Sequence, residues 1–439
     1  MKKILFILVF ICLGVFYSCS EDWLDTKPKG EANFETFFTK KGVNDLLIGA
    51  FADIDGHNNR TGEGWASSVT NWVWGGVCSD DAYKGSNSGD QSQINPLEGF
   101  YVDAANSYVY DHWRFYYDGV VRANDVLKAL NFVTDMTDKE KKLVEAQAKF
   151  LRAHFYFELT LVHSKVPYID ENTKNPALVS NDHILWPEIE TDVQYAIDNL
   201  PNNWNDKGRP TKWAAMAFMA RIYLFQHKYA LAKPLLEDIY LNGGFKLVPS
   251  YEMNYLIKTV NNSESIFEIQ YAVNDGFTAN AAMADGICGP HFMGSSGFYQ
   301  PTHSLVSAYR VDNNGLPLLN DTYSEDDILP YSKTGSAVLY TGPVDPRLDI
   351  GIGRPGVPIM DWGIHQGDSW VRNVNNGGPY INKKNMFTKA EKGIVSSVTG
   401  RVFLNANNYR KYKLSHVILW LAECEAEIGS LHNATLLVN

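Results

Sequence analysis

Two tryptophans set two apart, Trp72 and Trp74 in Asn71-Trp72-Val73-Trp74-Gly75-Gly76, are the first residues whose type and spacing suggest chemistry. In an extended segment such a pair shares one face. The two rings would then form a flat apolar plate, with Asp80, Asp81 and Lys84 at its rim. A plate of this kind suits a sugar, whose C–H face stacks on an aromatic ring and whose hydroxyls bond carboxylates and amides. The same tryptophans serve equally well as core anchors beneath a loop. Trp65, Tyr299, Trp362 and Trp370 stand in loop-like, Gly-rich surroundings and are secondary candidates for the same contact, although each taken singly suits a structural role.

Patterns that would make or break bonds do not hold up. Gly351-Ile352-Gly353-Arg354-Pro355-Gly356 has the form G-x-G-x-x-G, yet Pro355 and Pro358 forbid the helix whose N-terminus would hold a pyrophosphate, so the stretch reads as a turn. Adjacent carboxylates such as Asp80 and Asp81 do not flank a glycosidic bond from opposite sides, and a capping or hydrogen-bonding role suits them better. His291 and His303 lack the H-E-x-x-H spacing of a zinc helix. No G-x-S-x-G or Walker motif occurs. The expectation is a non-enzyme with no catalytic residue, metal or cofactor.

The elements that must position these side chains are mainly helical. Lys212 to Gly243 repeats its apolar residues at helical spacing on both sides of a polar Gln226-His227-Lys228 corner. Ala220, Tyr223, Ala232 and Leu236 stand where a tetratricopeptide unit places its small, aromatic, small and large residues, which let two helices approach closely. One such pair cannot bury its own apolar face, so further pairs must stack beside it. Ala32 to Asp53, Tyr108 to Asn131, Lys139 to His163 and Trp186 to Leu200 read as further helices. Between Gly243 and Gly400 the texture turns to Gly, Asn, Pro and aromatics, which predicts loops and short strands laid over the helical base. Leu419 to Gly429 opens another repeat, with Ala422, Ala434 and Val438 matching Ala220, Ala232 and Leu236.

Composition bounds the partners. The chain has 439 residues, 45% of them hydrophobic, a formal charge of -11 and no long Lys/Arg run, which argues against nucleic acid. It carries 11 Trp, 24 Tyr and 22 Phe, a supply large enough for exposed contact surface as well as packing. Lys2 and Lys3 precede a short apolar run, Ile4 to Ile11, which has the form of an export signal. Ser18-Cys19 at its end looks like a bacterial lipoprotein cleavage site, with Cys19 as the lipidated first residue; a plain secretory signal is the alternative. Attachment would then be by lipid. With Cys19 so used, Cys78, Cys288 and Cys424 cannot complete a disulfide framework. Cys424 reads as a small core residue, and a bridge between Cys78 and Cys288 stays open.

Ser20-Glu21-Asp22 resembles the acidic tag of surface lipoproteins in Bacteroidetes-type bacteria, and Trp23-Leu24-Asp25-Thr26-Lys27-Pro28 follows. From here the chain resembles the SusD/RagB family of surface nutrient-binding lipoproteins. The resemblance continues in order through Ser79 to Gly85, the helix from Glu145 to Tyr156, Val166-Pro167-Tyr168, Gly208 to Lys212, the strand Asn262 to Gln270, Pro301 to Tyr309, Asp345 to Leu348 and Tyr409 to Glu425.

The resemblance implies a mainly α, tetratricopeptide-like helical scaffold under a loop-rich layer with short strands. Residues 1–18 would be the signal peptide and 19–439 one SusD-like domain: a helical half over 19–243, a ligand-side region over 244–400, and over 401–439 the start of a C-terminal repeat that stops short of the family's usual length. It implies capture of a polysaccharide or oligosaccharide at the cell surface and delivery to a SusC-like TonB-dependent outer-membrane transporter, with the lipid on Cys19 holding the protein to the membrane. A peptide-binding, RagB-like protein is the alternative within the family, and a surface glycoside hydrolase the alternative outside it. The family's ligand surface draws on loops from both halves of the chain. The candidate set is therefore Trp72, Trp74, Asp80, Asp81 and Tyr83 from the first half, with Tyr299, Trp362 and Trp370 from the second.

Overall fold

The computed structural model describes residues 33–56, 64–277, 280–318, 322–324, 340–384, 386–399, 401 and 403–439. The expected leader and Cys19 lie outside these residues. Eight longer helices occur among them: α1 (Lys40–Phe51), α2 (Ser107–Leu130), α3 (Asp138–His163), α4 (Trp186–Asn199), α5 (Lys212–Phe225), α6 (Tyr229–Asn242), α7 (Leu414–Ile428) and α8 (Leu431–Val438). Local chemistry sets their ends. Thr137 and Glu140 form a capping box at α3: the Thr137 hydroxyl accepts the Glu140 N–H at 3.3 Å, and the Glu140 carboxylate accepts the Thr137 N–H at 2.9 Å. Pro187 occupies the first turn of α4, where its missing N–H costs nothing. Between α5 and α6 the chain reverses at the expected polar corner, with His227 in the left-handed region at φ 55°.

Each helix packs on the next, α1 on α2 and so on through α8, which gives the stacked, tetratricopeptide-like scaffold. Ala220, Ala232 and Leu236 are fully buried at the α5–α6 crossing, in the places the repeat requires. The expected helix from Ala32 to Asp53 is broken: a 3-10 turn (Phe34–Phe37) precedes α1 and another (Ala52–Asp55) follows it. The Thr39 side chain accepts from the Gly42 N–H and restarts the helix after the first turn. α7 begins at Leu414, five residues ahead of the expected Leu419. In α8, Leu437 packs against the scaffold core and Leu436 is exposed.

Eight short strands also occur among the described residues: β1 (Ala82–Gly85), β2 (Ser265–Ile269), β3 (Phe298–Pro301), β4 (Ile352–Gly353), β5 (Pro358–Ile359), β6 (Gly363–Ile364), β7 (Ile381–Asn382) and β8 (Tyr409–Lys413). They pair as four antiparallel ribbons, β1 with β3, β2 with β8, β4 with β7 and β5 with β6. Aromatic contacts clamp the β2–β8 ribbon to the helices. Phe150 on α3 meets Phe267 on β2 at 5.4 Å and Phe218 on α5 at 5.6 Å, and Phe218 stacks on Tyr412 of β8 at 6.2 Å. The ribbon thus carries the scaffold's order into the loop layer.

Candidate functional site

The expected tryptophan plate does not form. Residues Trp72–Val77 wind as a single π turn, entered through Asn71 in the left-handed region at φ 55°. Winding replaces the two-residue alternation on which the plate depended. Trp72 is 0% exposed, its ring set among Val73, Val77, Ile94, Leu97 and Phe298, so it is a core anchor. Trp74 is half-buried; its indole N–H donates to the Ala66 carbonyl at 2.7 Å and its ring meets His112 edge-on. Trp65 is buried in the same cluster. Cys78, Cys288 and Cys424 are free thiols, and Cys424 is fully buried as expected.

The remaining candidates fall into two places. Trp362 and Trp370 pack on Phe292 at 5.4 and 4.1 Å, beside Phe387, whose carbonyl accepts the Trp362 indole N–H at 2.8 Å. They hold together the small core under the β5–β6 ribbon. Asp80, Asp81, Tyr83 and Tyr299 belong together by virtue of the β1–β3 ladder, which sets Ala82 opposite Pro301 and Tyr83 opposite Gln300. Thr302 fastens the loop by donating its N–H to the Asp81 carbonyl at 3.0 Å and its hydroxyl to the Asp80 carbonyl. Backbone groups do the fastening, which leaves the carboxylates of Asp80 and Asp81 exposed, with no hydrogen bond or ion pair among the described residues. The Gly351–Gly356 stretch is the end of a short helical turn, then β4 and a turn with Gly356 at φ 82°, and no helix N-terminus follows it.

Tyr299 leads from this loop into a pocket of about 260 Å³. Its backbone lies in the left-handed region at φ 57°, and its ring lies so close over Gly76 that a Cβ there would stand 2.3 Å from Cε2. Glycine at 76 is therefore a condition of the ring's placement. Burial, with the Cys288 and Asp81 charges next, raises the Tyr299 phenol pKa above its ordinary value.

The pocket is lined by four tyrosines, Tyr255, Tyr271, Tyr299 and Tyr409, and by four asparagines, Asn254, Asn405, Asn407 and Asn408. The asparagines also tie the lining to the scaffold. Asn408 donates to Glu268 at 3.0 Å and to Gln270 at 2.9 Å while accepting the Tyr271 N–H at 2.9 Å. Asn407 donates to the Tyr255 carbonyl at 2.9 Å. Asp285 accepts from the Ser68 and Thr70 hydroxyls, and burial raises its carboxyl pKa above the usual range. Lys384, Arg410, Lys413 and His416 supply the basic side. Burial pushes His416 down to about 3, with the charges of Lys413 and Arg221 next in effect, so its imidazole is neutral.

Of the sequence candidates only Tyr299 lines this pocket. Tyr255, Tyr271, Lys384 and Lys413 went unread, and the one local signal for them was the cluster Asn405-Ala406-Asn407-Asn408 ahead of β8. Among the described residues no group of His, Cys, Asp or Glu is arranged to hold a metal, and no helix is long and apolar enough to cross a membrane.

A family model described as SusD-like, "Starch-binding associating with outer membrane", matches residues 22–224. A SusD-like protein of Bacteroides ovatus is 27% identical over 303 residues, covering 65% of this chain and 53% of the relative. SusD-like protein P2 of Formosa agariphila is 24% identical over 377 residues, covering 81% of this chain and 70% of its own. The chain thus spans about half the length of the first of these relatives. Among solved structures, a laminarin binding SusD-like protein superposes with a TM-score of 0.67 at 20% identity, covering 91% of this chain and 83% of that one. Surface glycan-binding protein A from Bacteroides thetaiotaomicron, in complex with laminarihexaose, gives a TM-score of 0.63 at 20% identity over 91% and 82%.

Proposed function

This chain is SusD-like in sequence and fold, and on that premise we propose that it captures a glycan at the cell surface and hands it to a transport channel. The observation that carries the reading is the lining of the pocket: four tyrosines and four asparagines share it at the junction of loop layer and scaffold. Rings take the C–H faces of a pyranose and amides take its hydroxyls, each at a fixed place. Asp80 and Asp81, unengaged on the neighbouring loop, extend the polar rim, and Tyr299 joins loop to pocket. Laminarin and laminarihexaose, the ligands named for two structural neighbours, support a polysaccharide or its oligosaccharides as cargo.

The channel partner in this reading is a SusC-like TonB-dependent outer-membrane transporter, and the anchor is a lipid on Cys19. Capture followed by closure over a channel needs no bond to be made or broken, so no catalytic residue is assigned. The test is a calorimetric binding screen of the soluble protein against neutral and acidic glycans and peptides, with Tyr255→Ala and Asp81→Ala alongside. We expect one glycan class to bind, both variants to weaken it by about tenfold or more, and no reducing sugar to be released. Binding to peptides alone, or release of sugar, would refute the reading.

A further inference from the structure

Strand β8 places three cations in close succession, Arg410, Lys411 and Lys413, and each is 8% exposed. Burying a charge is costly unless it is paired, so each must find its partner. Arg410 faces Glu268 at 3.5 Å and donates to the carbonyls of Asn408 and Leu256 at 3.1 and 2.9 Å. Lys411 donates to Glu158 at 2.9 Å. The Lys413 ammonium group has neither a hydrogen bond nor an ion pair among the described residues. The opposing charge that acts on it is Glu264, and that carboxylate is already engaged: it accepts from the Val248 N–H at 3.2 Å, Asn254 at 3.0 Å and the Ser415 hydroxyl at 2.7 Å.

Lys413 instead lines the cavity, and beside it stands the exposed Lys384, whose ammonium has no hydrogen bond or ion pair among the described residues. Lys384 stands 4.9 Å from the centroid of the Tyr255 ring and Lys413 stands 5.8 Å from the same centroid. Tyr255 is itself fixed by a 2.6 Å hydrogen bond between its hydroxyl and that of Tyr251. Two like charges brought to one ring repel each other. Burial first, and Lys384 and Arg410 after it, pull Lys413 down to about 8 against the opposing charge of Glu264, so at neutral pH it is still mostly charged.

We propose that the cleft between Lys384 and Lys413, beside the Tyr255 ring, holds the anionic group of an acidic glycan, a sugar carboxylate or sulfate ester. The inference rests on the glycan-capture reading and names the class of glycan. A carboxylate or sulfate oxygen between the two ammonium groups supplies the counter-charge that the protein omits, and the ring receives the sugar's C–H face. At about 260 Å³ the cavity lies just below the roughly 300–1,000 Å³ of drug-sized sites, which fits one sugar residue of a longer chain. The attraction is local, because the chain as a whole carries -11 and repels polyanions.

The test is titration calorimetry on the full soluble chain with tetragalacturonate, its methyl ester, a sulfated galactose tetramer and a neutral glucan tetramer. Lys413→Gln and Lys384→Gln are titrated in parallel. We expect one acidic probe to bind at least about tenfold tighter than the neutral probes, a preference weakened by salt. Lys413→Gln should bring that ratio close to one and leave the melting temperature unchanged or higher, since it removes a buried unpaired charge; a lysine kept for structure would lower it. Whichever of carboxylate and sulfate binds identifies the anion. Neutral probes binding as well as acidic ones, or a ratio untouched by Lys413→Gln, overturns this inference and leaves glycan capture standing. Binding of neither kind overturns both.

Discussion

Removing the Arg152 guanidinium should cost the scaffold far more than an ordinary surface ion pair would. Arg152 on α3 is 3% exposed and grips Asp192 on α4 with two parallel bonds, Nε to Oδ2 at 2.7 Å and Nη2 to Oδ1 at 2.8 Å. Its remaining nitrogen reaches Asn124 on α2 at 2.9 Å and Glu171 in the following loop at 2.6 Å. One side chain therefore joins three helices. In Arg152→Met the stem's volume is kept and the fork is lost, which leaves the Asp192 carboxylate buried without its partner. Breaking a buried pair from one side costs about 3–5 kcal/mol. Arg152→Lys keeps the charge but replaces the fork by a point, and we expect it to lose roughly 1–3 kcal/mol. The double variant Arg152→Met, Asp192→Leu removes both charges and should recover a large part of the loss. The assay is urea unfolding followed by tryptophan fluorescence for wild type, both single variants and the double. A further readout is pH. Burial already holds the Asp192 carboxyl above its usual range against the opposing Arg152 hydrogen bond and charge. Without Arg152 that carboxyl takes up a proton more readily in the folded state than in the unfolded one, so the Arg152→Met deficit should shrink from pH 8 to pH 5. Asp192→Leu alone is measured as well, and Arg152→Met within about 1 kcal/mol of wild type, or a double variant as unstable as Arg152→Met and Asp192→Leu added together, would refute the reasoning.

Trp72→Ala empties a fully buried site and should cost about 3–5 kcal/mol, read as a lowered unfolding midpoint; a stable variant with lost binding would restore Trp72 to the ligand surface. Gly76→Ala would force the Tyr299 ring aside, costing about 1–3 kcal/mol and lowering glycan affinity together, whereas unchanged affinity would remove Tyr299 from the site. Acid should weaken the fold through buried imidazoles. Burial holds His112 and His154 well below 6.5 and His365 down to about 4, with the His163 charge next for His112 and the Lys411 charge next for His154. The unfolded chain binds those protons as pH falls through 6.5 and the folded chain does not. Each histidine then removes about 1.4 kcal/mol per pH unit below that point, so stability should fall steeply from pH 6.5 towards 4.5. A flat profile over that range would mean that these imidazoles are solvated.

The helical scaffold was legible because its signals are local. Ala220, Ala232 and Leu236 announce a close crossing through their spacing alone, and the structure buries all three completely. The start of α1 was misread for an equally local reason. Phe34, Phe37 and Phe38 continue the apolar spacing, yet the Thr39 cap ends the 3-10 turn and begins the helix afresh. Trp72 and Trp74 show how a short pattern misleads. Alternation over three residues fits a strand, but Gly75 and Gly76 free the backbone for a π turn, and the turn sends Trp72 into the core.

The pocket was out of reach for a different physical reason. Its lining runs from Thr70 through Asn254 and Tyr299 to His416, stretches joined by the β2–β8 and β1–β3 ladders and by long-range bonds such as Thr70 to Asp285 and Asn407 to the Tyr255 carbonyl. Nothing in the sequence Tyr409-Arg410-Lys411-Tyr412-Lys413 separates its three cations. Their difference lies in what the rest of the fold sets against them among the described residues: a paired carboxylate for Arg410, another for Lys411, and for Lys413 a shared tyrosine ring, open volume and Glu264, already engaged and not ion-paired with it. Burial alone therefore does not mark a functional charge, because the scaffold buries and pairs several. A functional charge is marked by burial without a partner on the wall of a cavity, and that property belongs to the folded arrangement of several distant segments.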